Sequence, residues 1–107
     1  MQQLDCEELR CWLDDASRPS PVLLDVRESW EYRYCHIGGS QWMPMGEVPQ
    51  RCHALDPGAE IVLICHHGIR SYQAGIFLAH NGFTRIYNLR GGVEAWARQV
   101  DPAMPRY

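Results

Sequence analysis

Short apolar runs alternate with segments of helical pattern along this chain, and this alternation restricts the fold more than any other feature of the sequence. The most apolar run is 61–64, and two further runs lie at 22–26 and 85–89. Each has the length of a β-strand, and an apolar run without a polar face suits a strand covered on both sides. Helical patterns are predicted over 6–16, 28–35, 47–55, 71–80 and after Gly91-Gly92. This order predicts an α/β fold with a central, mostly parallel sheet and helices on both faces.

The composition agrees with a packed protein and excludes several classes of function. The 107 residues are 46% hydrophobic and 21% charged, which predicts one globular domain over 1–107. The net charge is −3 and the basic residues are scattered, so we expect no binding to nucleic acid. Every basic residue apart from histidine is an arginine, which excludes lysine Schiff-base chemistry and a Walker-type phosphate site.

The same sequence bears on location and on the state of the cysteines. No apolar run approaches the roughly 18 residues that a membrane-spanning helix needs, and residues 1–16 are too acidic for a signal peptide. We therefore expect a cytoplasmic protein without a membrane partner. The five cysteines lack paired spacing, so we expect them to be reduced. Cys6 and Cys11 do not share a helix face, so no metal site is predicted, and we expect both to be exposed.

The segment Cys65-His66-His67-Gly68-Ile69-Arg70-Ser71 lies between the most apolar strand and the next helix. Ligands of open α/β sheets gather at the carboxyl ends of the strands, where a helix N-terminus also offers free N–H groups and a partial positive charge. A cysteine at this place is favoured as a thiolate. Gly68 allows the loop backbone to bend, Arg70 supplies a forked cation for an oxyanion, and Ser71 offers a cap or a hydroxyl. The segment therefore predicts a nucleophilic cysteine in an anion-binding loop.

This loop resembles the active-site loop of the single-domain rhodanese family, sulfurtransferases whose signature is a cysteine with an arginine five positions later. Two other stretches resemble family motifs, and the match covers roughly residues 4–98. The first motif is represented by Leu24-Asp25-Val26-Arg27-Glu28, Glu31-Tyr32 and His36-Ile37-Gly38-Gly39-Ser40 up to Met43-Pro44, and the closing motif by Gly91-Gly92-Val93-Glu94-Ala95-Trp96. The resemblance implies the rhodanese-like three-layer α/β fold.

The resemblance also implies a mechanism without cofactor or metal. Cys65 attacks the outer sulfur of a small-molecule donor such as thiosulfate, carries that sulfur as a persulfide, and passes it to an acceptor. The acceptor is cyanide, a thiol or a protein cysteine, and the sequence leaves this choice open. Arg70, His66 and His67 are expected to hold the sulfonate oxygens, within a substrate-binding loop that also contains Gly68, Ile69 and Ser71.

Two other functions remain as alternatives. In the related cysteine-dependent phosphatases and arsenate reductases, five residues separate the cysteine from the arginine, whereas four separate Cys65 from Arg70. The shorter loop favours a sulfur atom over a phosphoryl group. A non-catalytic module that binds a partner is the other alternative, but such a module has no need of Cys65 or Arg70.

Two charged residues end a predicted buried strand. Asp25 and Arg27 lie at the end of the run 22–26, on either side of Val26. Buried charges are paired or hydrogen-bonded, so we predict an ion pair with a structural role for these residues.

Overall fold

The computed structural model describes all of residues 1–107, and its centre is a five-stranded parallel sheet in the order β1-β5-β4-β2-β3. The strands are β1 (Gln2–Leu4), β2 (Val22–Asp25), β3 (Gln41–Trp42), β4 (Ile61–Ile64) and β5 (Ile86–Leu89). The helices are α1 (Cys6–Asp14), α2 (Ser29–Tyr34), α3 (Val48–Arg51), α4 (Ile69–His80) and α5 (Gly92–Gln99), with 3₁₀ turns at Met45–Glu47 and Cys52–Ala54. The predicted α/β fold with a parallel sheet is confirmed.

The central strand β4 is fully buried because both faces of the sheet are covered. Successive side chains of a strand point to opposite faces. Val62 and Ile64 accordingly join the apolar core that contains residues of α1 and α5. Ile61 and Leu63 join the other core, which contains residues of α3 and α4. The helices therefore lie on both faces, as the absence of a polar face in 61–64 predicts.

Two features of the fold differ from the sequence prediction. Strand β1 was not predicted, because Gln2 and Gln3 are exposed residues of an edge strand and show no apolar pattern. Helix α4 begins at Ile69 rather than Ser71, because Gly68 adopts a left-handed conformation with φ of 102° and turns the chain directly into the helix.

The expectation that Cys6 is exposed is wrong. Cys6 is the first residue of α1, and only 1% of its surface is exposed. Its sulfur lies 3.9 Å from the carbonyl oxygens of Arg90 and Gly92, because the start of α1 packs against the loop before α5. Burial raises the pKa of its thiol to about 11, with a smaller contribution from the charge of Asp5. Cys11, on the outer face of the same helix, is exposed as predicted.

None of the helices combines the length and the apolar character that a membrane crossing requires.

Candidate functional site

Cys65 follows the last residue of β4, so its position is fixed by the most buried strand of the sheet. Its side chain is buried in the loop that leads to α4. The sulfur accepts hydrogen bonds from the backbone N–H of Gly68 at 3.1 Å and of Ser71 at 3.3 Å. Since Ser71 lies in the first turn of α4, the sulfur occupies the place of an N-cap acceptor at that helix. Two backbone donors therefore converge on the sulfur at the start of α4.

The carbonyl groups of the same loop are held from outside by α5. The N–H groups of Val93 and Glu94, in the first turn of α5, donate to the carbonyl oxygens of Cys65 at 2.9 Å and His66 at 3.1 Å. This close approach requires a glycine at position 92. A Cβ there would lie 2.3 Å from the Cys65 oxygen and 2.4 Å from the His66 oxygen, and the residue has φ of 58°. The Gly91-Gly92 pair thus allows the N-terminus of α5 to bind the carbonyl groups of Cys65 and His66.

Asn88 holds the loop from β5. Its amide nitrogen donates to the Gly68 carbonyl at 3.1 Å and to the Gln3 side chain at 2.9 Å, and its amide oxygen accepts from the Ser71 hydroxyl. The Ser71 hydroxyl oxygen also lies 3.2 Å from the Cys65 sulfur, and either atom of this contact can be the donor. Asn88 was not predicted from the sequence. The signal for it was a polar residue within the predicted strand 85–89. A buried amide is costly without hydrogen-bond partners, so such a residue indicates that partners are close by.

Arg70 is not a free cation in this structure. Its two terminal nitrogens donate to the two carboxylate oxygens of Glu31 at 2.7 and 2.9 Å, in the bidentate geometry typical of this pair. Glu31 also accepts from the backbone N–H of Glu28 and from the hydroxyl of Tyr107. The bond from Arg70 is the main cause that lowers the Glu31 pKa to about 2. Glu31 is therefore an anion at neutral pH and neutralises much of the charge of Arg70.

A second ion pair lies behind this one. Arg27 and Asp25 are fully buried and joined by two short bonds, of 2.9 Å from Nε and 2.7 Å from Nη2. The predicted ion pair is thus confirmed. Arg27 also donates to the carbonyl of Cys35, just beyond α2, and to the hydroxyl of Tyr107. Tyr107 therefore connects the Asp25–Arg27 pair with Glu31, a role that the sequence analysis did not foresee.

The two histidines form a stack at the mouth of the site. The His66 ring lies between the His67 ring and the Tyr107 ring, with both ring centres 3.9 Å away. Its Nε2 atom is buried without a hydrogen-bond partner. Burial lowers the pKa of His66, and the nearby His67 lowers it further, so the imidazole is neutral at neutral pH. His67 is exposed.

The structure brings the predicted site residues together around one opening. Cys65, His66, His67, Ile69 and Arg70 line a single small cavity. Gly68 and Ser71 lie beneath it and contact the sulfur through their backbone N–H groups. No three His, Cys, Asp or Glu side chains converge closely enough to hold a metal ion. The arrangement places a cysteine sulfur and a guanidinium group at the same small cavity.

Comparison with known proteins agrees with this arrangement. The rhodanese-like domain family matches residues 6–99. A sulfurtransferase of Allochromatium vinosum is 35% identical over 102 residues, which cover 95% of this chain and 94% of the relative. Thiosulfate sulfurtransferase GlpE of Pseudomonas fluorescens is 37% identical over 82 residues, covering 77% and 74% of the two chains. Other curated relatives are longer, and the chain spans 43% of one and 26% of another.

A solved structure supports the fold independently. The rhodanese-like domain protein of Staphylococcus aureus superposes with a TM-score of 0.85, covering 100% of this chain and 99% of that protein at 23% identity. The match of 6–99 and the close relatives, together with the cysteine loop at the end of β4, lead to one conclusion: this chain belongs to the rhodanese-like domain family of sulfurtransferases.

Proposed function

We propose that this protein transfers a sulfane sulfur from thiosulfate, or a similar small donor, to a thiophilic acceptor through a persulfide on Cys65. The observation that carries the proposal is the environment of the Cys65 sulfur, which accepts two backbone N–H bonds at the start of α4 and faces the cavity. A thiolate is the attacking species in such chemistry, and backbone N–H donors directed at the sulfur stabilise that anion.

The first step forms one S–S bond and breaks another. The Cys65 thiolate attacks the outer sulfur of thiosulfate, and the electron pair of the broken bond leaves with sulfite. The product is a persulfide whose outer sulfur carries the negative charge. The negative charge stays in the pocket but moves from the Sγ atom, which the Gly68 and Ser71 N–H groups contact, to the outer sulfur.

The second step restores the enzyme. A nucleophilic acceptor attacks the outer sulfur, the persulfide bond breaks, and its electron pair returns to Cys65 as the thiolate. Cyanide gives thiocyanate, and a small thiol or a protein cysteine gives a new persulfide. The electrons balance in both steps, so neither step needs an oxidant, a metal or a cofactor.

Arg70 is the group that would hold the sulfonate end of the donor. Glu31 occupies two of its N–H groups, which leaves three for a ligand. Since Glu31 repels an anion, we expect thiosulfate to bind weakly. We expect the three free N–H groups of Arg70 to orient the bound thiosulfate rather than to make its binding tight. His66 is neutral in its stack and would contribute shape and a polar edge rather than charge.

Thiosulfate-dependent formation of thiocyanate tests the proposal. Cys65→Ser keeps an oxygen acceptor for the Gly68 and Ser71 N–H groups, so the fold should persist while turnover disappears. Cys11→Ala, which alters an exposed cysteine of α1, is the matched control and should retain the activity of the parent protein. Turnover in the Cys65→Ser variant would refute the assignment. Hydrolysis of p-nitrophenyl phosphate by the parent, without thiocyanate formation, would favour the phosphatase alternative.

A further inference from the structure

The segment that follows α5 returns to the mouth of the site and is attached at several points. Met104 is buried in the core on the α1 and α5 face. Arg106 pairs with Glu94 of α5, with its Nη2 atom 2.6 Å from the carboxylate. Tyr107 then reaches Glu31 on α2. The segment lies outside the residues 6–99 that the family model matches.

The hydroxyl of Tyr107 lies between two ion pairs. It accepts a hydrogen bond from Nη1 of Arg27 at 2.9 Å and donates one to Oε2 of Glu31 at 2.8 Å. Burial is the main cause that raises the Tyr107 pKa to about 12, so the hydroxyl keeps its proton at neutral pH. The direction of both bonds is thereby fixed. Nη1 of Arg27 has no other oxygen acceptor, only the Cys35 sulfur at 4.0 Å.

The ring of Tyr107 is held as firmly as its hydroxyl. It stacks on His66 with an angle of 13° between the ring planes. Trp30 and Tyr34 of α2 contact it edge to face, with ring centres 5.5 and 5.8 Å away. Edge-to-face and stacked contacts of this kind favour one orientation of the ring. The ring and the hydroxyl together restrict both the loop that carries His66 and the carboxylate that holds Arg70.

We propose that Tyr107 is a positioning residue of this site, which orients Arg70 through Glu31 and packs against the His66 ring that lines the cavity. The expected change in the Michaelis constant rests on the proposed function. The orientation of Arg70 beside Cys65 does not depend on that function. Tyr107 touches neither the sulfur nor the guanidinium of Arg70, so it acts through the residues between them.

The hydroxyl can be removed without removing the ring. In Tyr107→Phe, Arg27 keeps a buried N–H without an oxygen acceptor, and Glu31 loses one of its four donors. The carboxylate keeps the donors from Glu28 and Arg70 but its orientation is less restricted, and Arg70 follows it because the two are joined by a fork. Loss of one hydrogen bond of this kind corresponds to an expected three- to tenfold rise, roughly, in the Michaelis constant for thiosulfate, with kcat changed less than about twofold.

Tyr34→Phe is the matched control. Tyr34 contacts the same aromatic cluster, is half exposed, and its hydroxyl makes no hydrogen bond within the protein. Its removal should leave both constants within about twofold of the parent values, as for an exposed surface change. A thermal melt of each variant separates a general loss of stability from a change at the site.

A measurement on Arg70 provides a readout that needs no turnover. The paired guanidinium should give resolved ¹⁵N-correlated Nη–H signals in the parent protein and in Tyr34→Phe, because the fork to Glu31 slows rotation of its terminal nitrogens. In Tyr107→Phe these signals should broaden or merge. Unchanged Arg70 signals together with an unchanged Michaelis constant would overturn the inference, even if the melting temperature fell.

The outcomes separate this inference from the proposed function. If thiosulfate gives no turnover in the parent protein but the Arg70 signals respond to Tyr107→Phe, sulfur transfer from thiosulfate is wrong and the positioning role stands. If the parent protein is active and neither readout responds, the positioning role is wrong and sulfur transfer stands.

Discussion

The contact between α5 and the loop that carries Cys65 predicts a large effect of Gly92→Ala. A Cβ at position 92 would lie 2.3 Å from the Cys65 carbonyl oxygen, where roughly 3 Å is needed, so the loop and the helix must separate. That separation strains the hydrogen bonds that Val93 and Glu94 donate to the carbonyls of Cys65 and His66. Each of these two buried hydrogen bonds costs about 1–2 kcal/mol when it is lost, so we expect a loss of roughly 2–4 kcal/mol from this cause.

Gly82→Ala is the control for backbone strain alone. Gly82 also has a positive φ, of 91°, but nothing lies within 4 Å of a Cβ built there. Both variants bear the penalty of a left-handed alanine, about 1–2 kcal/mol, and both gain from a less flexible unfolded chain. The difference between the two therefore isolates the contact with the loop. For a chain of this length, the expected difference is a melting temperature about 10–25 °C lower for Gly92→Ala.

Thermal melts followed by circular dichroism, with thiosulfate-dependent turnover measured at a temperature where both variants are folded, give the comparison. A displacement of Cys65 by close to 1 Å should lower kcat/KM at least tenfold, roughly, in Gly92→Ala and not in Gly82→Ala. Similar melting temperatures for the two variants would show that the α5 terminus does not hold the loop as the distances indicate.

Three further predictions concern charge and cysteine reactivity. Arg70→Lys replaces the fork to Glu31 with a single point charge and should raise the Michaelis constant for thiosulfate about tenfold or more, measured by steady-state kinetics. Because the Glu31 pKa is lowered to about 2, this carboxylate adds stability that is complete above its ordinary pKa of 4.5 and is lost as the pH falls from there toward 2. Glu31→Gln should flatten the stability profile in that window, and an unchanged profile would mean that Arg70 does not favour the charged form. Brief labelling with iodoacetamide and peptide mapping should modify Cys65 faster than the exposed Cys11, and Cys6 last because it is buried with a pKa of about 11. Faster labelling of Cys11 would refute the claim that the loop activates Cys65.

The order of strands and helices could be predicted because each element shows its pattern within a short stretch of the sequence. Four consecutive buried aliphatic residues at 61–64 require cover on both faces, and that requirement alone indicates a central parallel strand. Gly68 marks the turn between the end of that strand, where Cys65 lies, and α4, because this turn uses a left-handed residue. Local patterns of this kind are sufficient for the fold class and for the place of Cys65.

The partners of Arg70 could not be predicted in the same way. Glu31 lies 39 positions away in sequence and Tyr107 lies 37 positions away on the other side, and neither belongs to a local pattern that links it to the loop. Their meeting depends on how α2 and the last segment pack around the end of the sheet. The burial of Cys6 has the same origin, because the pattern of α1 alone does not show that its first turn packs against the loop before α5.

Intact-mass analysis after incubation with thiosulfate tests the central claim most directly. With no acceptor present, the parent protein should gain the mass of one sulfur atom, and peptide mapping should locate that sulfur on Cys65. Addition of cyanide should remove it and release thiocyanate in equal amount. A protein that gains no sulfur, or gains it on a cysteine other than Cys65, would contradict the account of the loop as a persulfide site.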